Sequence, residues 1–393
     1  MRVFLMNKNK KVLLADYIKE YHSFTKIYEI YSIDYAPLVL FNATHDKSKS
    51  LLKTLNNWFK GRGIPSWRKD LERLLENLQI SSAEELLDQA FGLSLSDQYW
   101  IKEENDRLTW EDINFFQNDF KYQGYLNASL SLSNNCEEIS LHSPNNTTDG
   151  MIQKAWIIEN GQRLLVKGTY TPSRQEPINE WLATNLCKRL GFCHCPYTIR
   201  IMEKQMVSVC ENFIGEDEEL IMACDILSFK KQDNNKSDYE HYMNILEEHE
   251  VPNAREEVEN MIIIDYLLMN TDRHMKNFGI IRDVNTLKWK KVAPIFDSGQ
   301  GMQCEQLTMD MNFTDGTGKF FHNTKKKFST YLGLIKDISR IDIKNLDGLI
   351  EEYQKILYEY QLYTEISDIR IERQVLGLKK RIQNLEKSIC KGL

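Results

Sequence analysis

Two stretches of this chain hold residues able to do chemistry: MNTDRHMKNFGI at 269–280 and APIFDSGQGM at 293–302. Asp272 and Asn277 stand five positions apart in a polar run that leaves an apolar segment, and Asp297 closes a short apolar run of its own. A carboxylate beside a hydroxyl can take its proton. An amide oxygen and a second carboxylate suit Mg2+, which prefers oxygen ligands and takes only one or two carboxylates from protein. These are parts that transfer of a phosphoryl group from ATP requires. That reaction also needs a lysine on the phosphates and a loop covering them.

Both can be found upstream. Lys167 closes the strand-like RLLVKGTY, and Glu180 in INEWLATNL opens the next helical run as the natural partner of the ammonium. TTDGMIQK at 147–154 supplies small hydroxyl residues, Gly150 and Lys154. A glycine there lets backbone N–H groups approach a phosphate. The Asp272-to-Asn277 separation equals that between the Asp and Asn of the kinase catalytic loop.

NTDRHMKN resembles the catalytic loop of HipA-type serine/threonine kinases, whose usual form is Asn-x-Asp-x-His-x-Lys-Asn; Asn270, Asp272, His274, Lys276 and Asn277 all match. APIFD resembles the metal-binding stretch of that family, which implies Asp297 and Asn277 as Mg2+ ligands. The family's phosphate loop has a hydroxyl residue three before a glycine and a lysine four after it, a spacing kept by Thr147, Gly150 and Lys154. VCENF resembles the family's hinge, implying adenine contacts through the backbones of Glu211 and Phe213. The resemblance covers roughly residues 145–390. It implies an ATP- and Mg2+-dependent protein kinase with Asp272 as the group facing the substrate hydroxyl. His274 either holds the loop near Asp272 and Asp297 or serves as a ligand or base, and Lys276 either stabilises the phosphoryl charge or is a solvated loop lysine. It further implies autophosphorylation at Thr147, with Thr148 and Ser143 nearby, and a toxin acting with a DNA-binding antitoxin partner. Arg273 is a departure: DRHMKN also fits the Asp-Arg-His-x-x-Asn of phosphoinositide kinases. A lipid or small-molecule kinase, or a nucleotide-binding module without catalysis, therefore stays open beside a protein substrate.

Positioning these residues requires a β-rich half and a helical half. RVFLM, KVLLADY and KIYEIYSIDYAPLVLFN read as three or four strands, and LLKTLNNWFKGRG as a helix stopped by glycine. PSWRKDLERLLENLQ puts Trp67, Leu71, Leu74, Leu75 and Leu78 on one helical face. Ser82 with Glu85, and Thr109 with Asp112, have capping-box spacing, and Gly92 ends the first of these helices. SLSNNCEEISLHSPNNTTDGM reads as a linker. Asn160-Gly161 predicts a hairpin turn, QEPINEWLATNLCKRLGF a helix stopped at Gly191, PYTIRIMEKQMVSVCENFI two strands, and NAREEVENMIIIDYLLMN a core helix. The expected class is α+β: a two-lobed, protein-kinase-like fold with an additional mixed α/β N-terminal region. That region spans 1–130, the β-rich lobe 131–213 and the helical lobe 214–393.

Composition sets the outer limits. The chain has 393 residues, 42% hydrophobic and 27% charged, which describes a globular protein with room for more than one core. No run reaches the roughly 18 apolar residues of a membrane span, and the N-terminus lacks a signal-peptide pattern. The net charge of −7 disfavours direct nucleic-acid binding, and eight scattered cysteines fit a reducing cytoplasm. Cys187, Cys193, His194 and Cys195 crowd together, but their spacing suits buried thiols better than zinc. The closing LGLKKRIQNLEKSICKGL reads as an amphipathic basic helix with a solvated face.

Overall fold

The structure, a computed structural model, describes residues 1–68, 71–130, 140–321 and 325–391. Strands β1 (Arg2–Asn7), β2 (Lys10–Ile18) and β3 (Ser23–Ile30) come first. Helices α1 (Leu38–His45), α2 (Leu51–Lys60), α3 (Leu71–Leu78) and α4 (Ala83–Gln89) follow. Strand β4 (Tyr99–Glu103) and helices α5 (Trp110–Ile113) and α6 (Gln123–Leu130) lead to strands β5 (Lys154–Glu159) and β6 (Gln162–Lys167). Next are helix α7 (Glu176–Leu190) and strands β7 (Tyr197–Met202), β8 (Gln205–Glu211) and β9 (Glu218–Met222). Helices α8 (Ala223–Leu227), α9 (Asp238–Glu248) and α10 (Ala254–Leu268) precede strands β10 (Gly279–Asp283) and β11 (Trp289–Val292). Helices α11 (Phe328–Leu332), α12 (Leu349–Glu359), α13 (Gln361–Thr364) and α14 (Asp368–Lys391) complete the order. The chain forms two compact units. One comprises Met1–Val166, Asn212–Gln232 and Ile280–Lys290; the other comprises Lys167–Glu211, Asp233–Gly279 and Lys291–Leu393.

In the first unit an antiparallel sheet runs β3-β2-β1-β4. Strand β1 reads as an unbroken apolar run because the sheet is covered on both faces. Val3 and Leu5 join Leu13, Leu40, Leu55 and Phe59 in one core, while Phe4 and Met6 join Leu14, Trp100 and Trp110 in another. The stretch expected to continue as strand after β3 is helical instead. Pro37 precedes α1, and Leu40 from this helix enters the first core, so the chain folds back over the sheet rather than extending it. Trp67 also departs from expectation: it lies ahead of α3 and is exposed, whereas Leu74 and Leu78 are buried with Ile64, Leu86 and Tyr125. Thr109 and Asp112 form a full capping box on α5. On α4 the box is only half made. Ser82 accepts the Glu85 N–H, but the Glu85 carboxylate turns to Ser81. Helix α4 ends at Gln89, before Gly92. The expected hairpin joins β5 to β6, with Asn160 and Gly161 both at positive φ (51° and 78°). Residues 131–139 of the expected linker lie outside the described residues, and Pro144–Thr147 within it forms a short helical turn.

In the second unit β7 and β8 pair antiparallel, from Tyr197↔Cys210 to Met202↔Gln205, and α7 packs on both. Gly191 at φ 73° stops α7. Helix α10 is buried on nearly every side from Val258 to Leu268, as befits a helix central to a core, and it packs against α7, α9, α11 and α14. Helix α14 is not simply solvated on its basic face: Arg370 and Arg381 are buried. Of the crowded thiols, Cys187 and Cys195 are buried and free, but Cys193 is exposed. No helix among the described residues is long and apolar enough to cross a membrane.

Gly377 shows how closely α14 is fitted. A glycine inside a helix costs roughly 0.5–1 kcal/mol relative to alanine, but a Cβ here would sit 2.4 Å from the ring of Phe313. Gly377→Ala is therefore expected to lower the urea midpoint through overpacking of about 1–3 kcal/mol, against the helix-propensity trend. A raised midpoint would show that the Phe313 contact does not hold this helix.

Candidate active site

The catalytic-loop residues begin where α10 stops. Met269 takes the left-handed conformation (φ 51°), and the Asn270 N–H returns to Asp265 O (3.0 Å), which turns the chain out of the core. The loop that follows is tied internally. Asn270 Nδ2 donates to Asp265 Oδ1 (2.8 Å), the Asp272 N–H donates to Asn270 Oδ1 (3.2 Å), and Asn277 Nδ2 donates to Asp272 O (2.9 Å). Asn277 thus has an amide N–H engaged, and Oδ1 is the atom that could meet a metal.

Arg273 is the centre of this arrangement and is 0% exposed. It grips Asp265 through Nε (2.9 Å) and Nη2 (3.0 Å). It also donates to Asn277 O (2.8 Å), to Phe296 O and to Ser298 Oγ (2.9 Å). One guanidinium therefore joins α10, the catalytic loop and both neighbours of Asp297. Asp297 itself is held at φ 54°, a conformation costing a non-glycine residue on the order of 1–3 kcal/mol. Its N–H donates to Tyr197 Oη (3.3 Å).

Lys167 meets this carboxylate from the end of β6. Its Nζ lies 2.8 Å from Asp297 Oδ1, 2.8 Å from Glu180 Oε1 and 3.2 Å from Tyr197 Oη. The other oxygen of Glu180 accepts from Ser208 Oγ. Burial works against charge on Lys167, but the carboxylates of Asp297 and Glu180 outweigh it and hold the ammonium well above its ordinary pKa. Asp272 is half-buried. Burial pushes its carboxyl above the usual range; Asp297 and Glu305 add to that shift, and His274 and Lys319 oppose it. A single parallel β-bridge joins Asp272 to Lys319.

The structure thus brings Lys167, Glu180, Asp272, Asn277 and Asp297 together in one unit. His274 stays with the loop: its Nδ1 accepts the Lys276 N–H (3.2 Å) and its Nε2 lies 3.9 Å from Asp272 Oδ2. Lys276 is exposed. Glu211 is exposed at the end of β8, its carbonyl accepting from Cys195 Sγ (3.9 Å). Thr147, Gly150, Lys154 and Phe213 belong to the first unit. There Thr147 Oγ1 donates to Leu93 O (2.8 Å), and Gly150, at φ 96°, donates its N–H to Asp149 Oδ1 (2.7 Å).

The segment after Asp297 is fastened by its carbonyls. Asn179 Nδ2 donates to Gly299 O (2.7 Å) and Gly301 O (3.0 Å). From α14, Arg370 donates to Gln306 O (2.7 Å), Arg373 to Met309 O (3.2 Å) and Arg381 to Thr314 O (3.0 Å). A cavity of about 240 Å³ beside this segment is lined by Thr271, Gln300, Gln303, Glu305, Asp315 and Lys325 among others. Sequence reasoning missed Asp265, Tyr197 and Ser208, and misread Arg273. The available signal was Asp265 itself, a charge set inside the apolar MIIIDYLL, which had to find a buried cation.

Removing one partner of a buried ion pair strands the other, typically at about 3–5 kcal/mol. Arg273→Met is therefore expected to cost about that much in chemical denaturation and to release Asp297 from its conformation. A stability change under about 1 kcal/mol would mean the guanidinium is not the tie described here.

Comparisons with known proteins bear on the fold and the family. Among solved structures, HipA of Shewanella oneidensis MR-1, determined with HipB and operator DNA as a toxin–antitoxin system, superposes with a TM-score of 0.52 at 13% identity. That match covers 99% of this chain and 98% of that one. The proinflammatory kinase CtkA of Helicobacter pylori gives a TM-score of 0.44 at 17% identity, covering 61% of this chain and 94% of that one. No curated protein matches the sequence. The first of these likenesses shows a shared kinase-like fold across nearly the whole chain. The profile of the HipA-like C-terminal domain matches residues 147–356, more than half of the sequence, and the chain belongs to that family.

Proposed function

We propose that the protein is a HipA-type serine/threonine kinase that uses ATP with Mg2+. The observation that carries this reading is the convergence of Lys167 on both Glu180 and Asp297, in the same unit as Asp272 and Asn277. Asn277 Oδ1 and the Asp297 carboxylate make an all-oxygen donor set of the kind Mg2+ accepts, and those residues would hold it. Bound there, the ion would neutralise phosphate charge. Lys167, kept cationic, faces phosphate oxygens. Asp272 orients the acceptor hydroxyl and takes its proton as the hydroxyl oxygen bonds to the γ-phosphorus and the bond to the bridging oxygen breaks, releasing ADP. Glu211 and Phe213 would meet the adenine through their backbones, and Thr147, Gly150 and Lys154 would cover the phosphates. His274 keeps the loop in shape, and Lys276 adds positive charge at its exposed side.

A protein substrate is favoured over a lipid by two features. The cavity next to Thr271 is lined mainly by amides, hydroxyls and charges, with Met269, Cys304 and Phe328 the less polar part, and offers no continuous apolar surface for acyl chains. Arg273, the residue that invited a phosphoinositide comparison, is wholly engaged in holding Asp265, Asn277, Phe296 and Ser298. Of the hydroxyls near the phosphate loop, Thr147 is half-buried while Ser143 and Thr148 are buried, which supports Thr147 over the other two as the site of autophosphorylation. The family suggests a toxin working in the cytoplasm with a DNA-binding antitoxin. The functional division proposed is an N-terminal region 1–130, a nucleotide-binding lobe 131–213 and a catalytic lobe 214–393, bounds that differ from those of the two compact units.

Mass spectrometry after incubation with Mg-ATP tests the reading directly, an added phosphate at Thr147 being the expected product. Asp272→Asn and Asp297→Ala should each abolish it. The Asp272 pKa is raised in the folded state, so the ionised carboxylate lowers stability at neutral pH. Asp272→Asn should therefore melt no lower than wild type at pH 7; phosphorylation by this folded variant would remove Asp272 from the mechanism.

The same shift fixes a pH dependence. Activity rises as Asp272 loses its proton, so its acidic limb lies above that of an ordinary aspartate. Glu305→Gln removes a charge that raises this pKa and should move the limb to lower pH, while Lys319→Met should move it higher. Limbs that stay in place, or move in the opposite senses, would mean that another group sets the profile.

A further inference from the structure

Arg68 lies in the first unit, far in sequence from any motif, and is 6% exposed. Its guanidinium donates to the carbonyl of Thr148, to Thr148 Oγ1 (2.9 Å) and to the carbonyl of Gly150 (3.1 Å). Burial pushes its pKa down to about 10, with Asp149 pulling the other way. Taking a cation out of water for three neutral oxygens is a poor route to stability, so the geometry it imposes matters more.

The surrounding loop is sewn into the same unit. Asn146 Nδ2 donates to Leu86 O and Leu141 O (2.6 Å each), and its Oδ1 accepts from Tyr125 Oη. Asn145 exchanges hydrogen bonds with the backbone of Trp156, receiving its N–H at 2.6 Å and donating to its carbonyl at 3.2 Å. A trans peptide is planar, with its C=O and N–H pointing in opposite directions. Drawing the carbonyls of Thr148 and Gly150 toward Arg68 therefore turns the N–H groups of Asp149 and Met151 to the other side of the loop.

We propose that Arg68 is a positioning residue for nucleotide binding: it fixes these two peptide planes so that the loop presents N–H groups, rather than carbonyls, to the phosphates of the nucleotide. Arg68 itself does not touch the nucleotide. The inference rests on the reading of residues 147–154 as a phosphate loop, and it gives the N-terminal region a part in nucleotide binding. An inverted peptide would aim a carbonyl oxygen at an anion, so the penalty falls on phosphate affinity and not on adenine.

The test uses the full chain and measures Mg-ADP and adenosine binding without turnover. Arg68→Ala should weaken Mg-ADP at least tenfold, and Arg68→Lys and Thr148→Val by smaller factors, with adenosine affinity within twofold of wild type throughout. Should Arg68→Ala fail to fold, Arg68→Lys and Thr148→Val carry the same comparison. Unchanged Mg-ADP affinity in folded variants overturns the proposal, as does a parallel loss of Mg-ADP and adenosine, which marks a merely structural role. A wild-type protein that binds adenosine no differently from Mg-ADP overturns the phosphate-loop reading itself, and this inference with it.

Discussion

The candidate site depends on a single buried guanidinium. Arg273 presents a rigid fork of donors that reaches several pieces of chain at once: Asp265 in α10, the carbonyl of Asn277, and the residues on either side of Asp297. A lysine could not do this, because a point charge on a flexible stem fixes no directions. The loop carrying Asp272 and Asn277 and the loop carrying Asp297 are separated by nineteen residues of chain, 278–296. Arg273 sets their register together with Thr271, whose N–H and Oγ1 both donate to Gln300 O. The left-handed backbone at Asp297 persists because Phe296 O and Ser298 Oγ are pinned on both sides of it.

Around that frame the charges do not cancel. Lys167 stands against Glu180 and Asp297, and Asp272 adds a third carboxylate nearby. One ammonium among three carboxylates would repel a nucleotide's phosphates. A divalent cation held by Asp297 and Asn277 would offset that excess, which would be a reason for Mg2+ to accompany a nucleotide. Glu180 plays a different part. With one oxygen on Lys167 and the other receiving Ser208, it can neither approach a metal nor leave the lysine, and so fixes where the ammonium points.

The candidate residues stood out in the sequence because they cluster: seven polar side chains in the eight positions 270–277, after an apolar helix, are hard to explain as packing. The long elements were legible for a similar reason. Period and punctuation marked α7, α10 and the Asn160-Gly161 hairpin. What escaped was whatever depends on a distant partner. The residues after Pro37 look as good in a strand as in α1, and only the core waiting over the sheet decides. Arg273 sits in a motif shared by two kinase families, and its packing role is visible only once Asp265 and Phe296 are brought beside it. The interleaving of the two units, with Asn212–Gln232 and Ile280–Lys290 joined to the N-terminal segment, has no local signature at all.

That interleaving bears on the N-terminal region, which carries no chemical motif of its own. Strands β9 and β10 belong to the same unit as the N-terminal sheet, and Arg282 in β10 is buried against Glu219 in β9 (2.6 Å) and Tyr99 in β4 (3.3 Å). Gln98 reaches the carbonyls of Glu216 and Glu218 (2.9 and 2.6 Å), and Asn212 reaches Leu95 O (3.1 Å). The hinge-like residues following β8 and the loop at 145–150 are therefore both anchored in residues 60–130. A region bonded so closely to the segments expected to meet adenine and phosphate is not a detachable addition. Removing it would take Leu86 and Tyr125 from Asn146, Arg68 from the carbonyls of Thr148 and Gly150, and Tyr99 from Arg282, so these segments would lose the hydrogen bonds that hold their form.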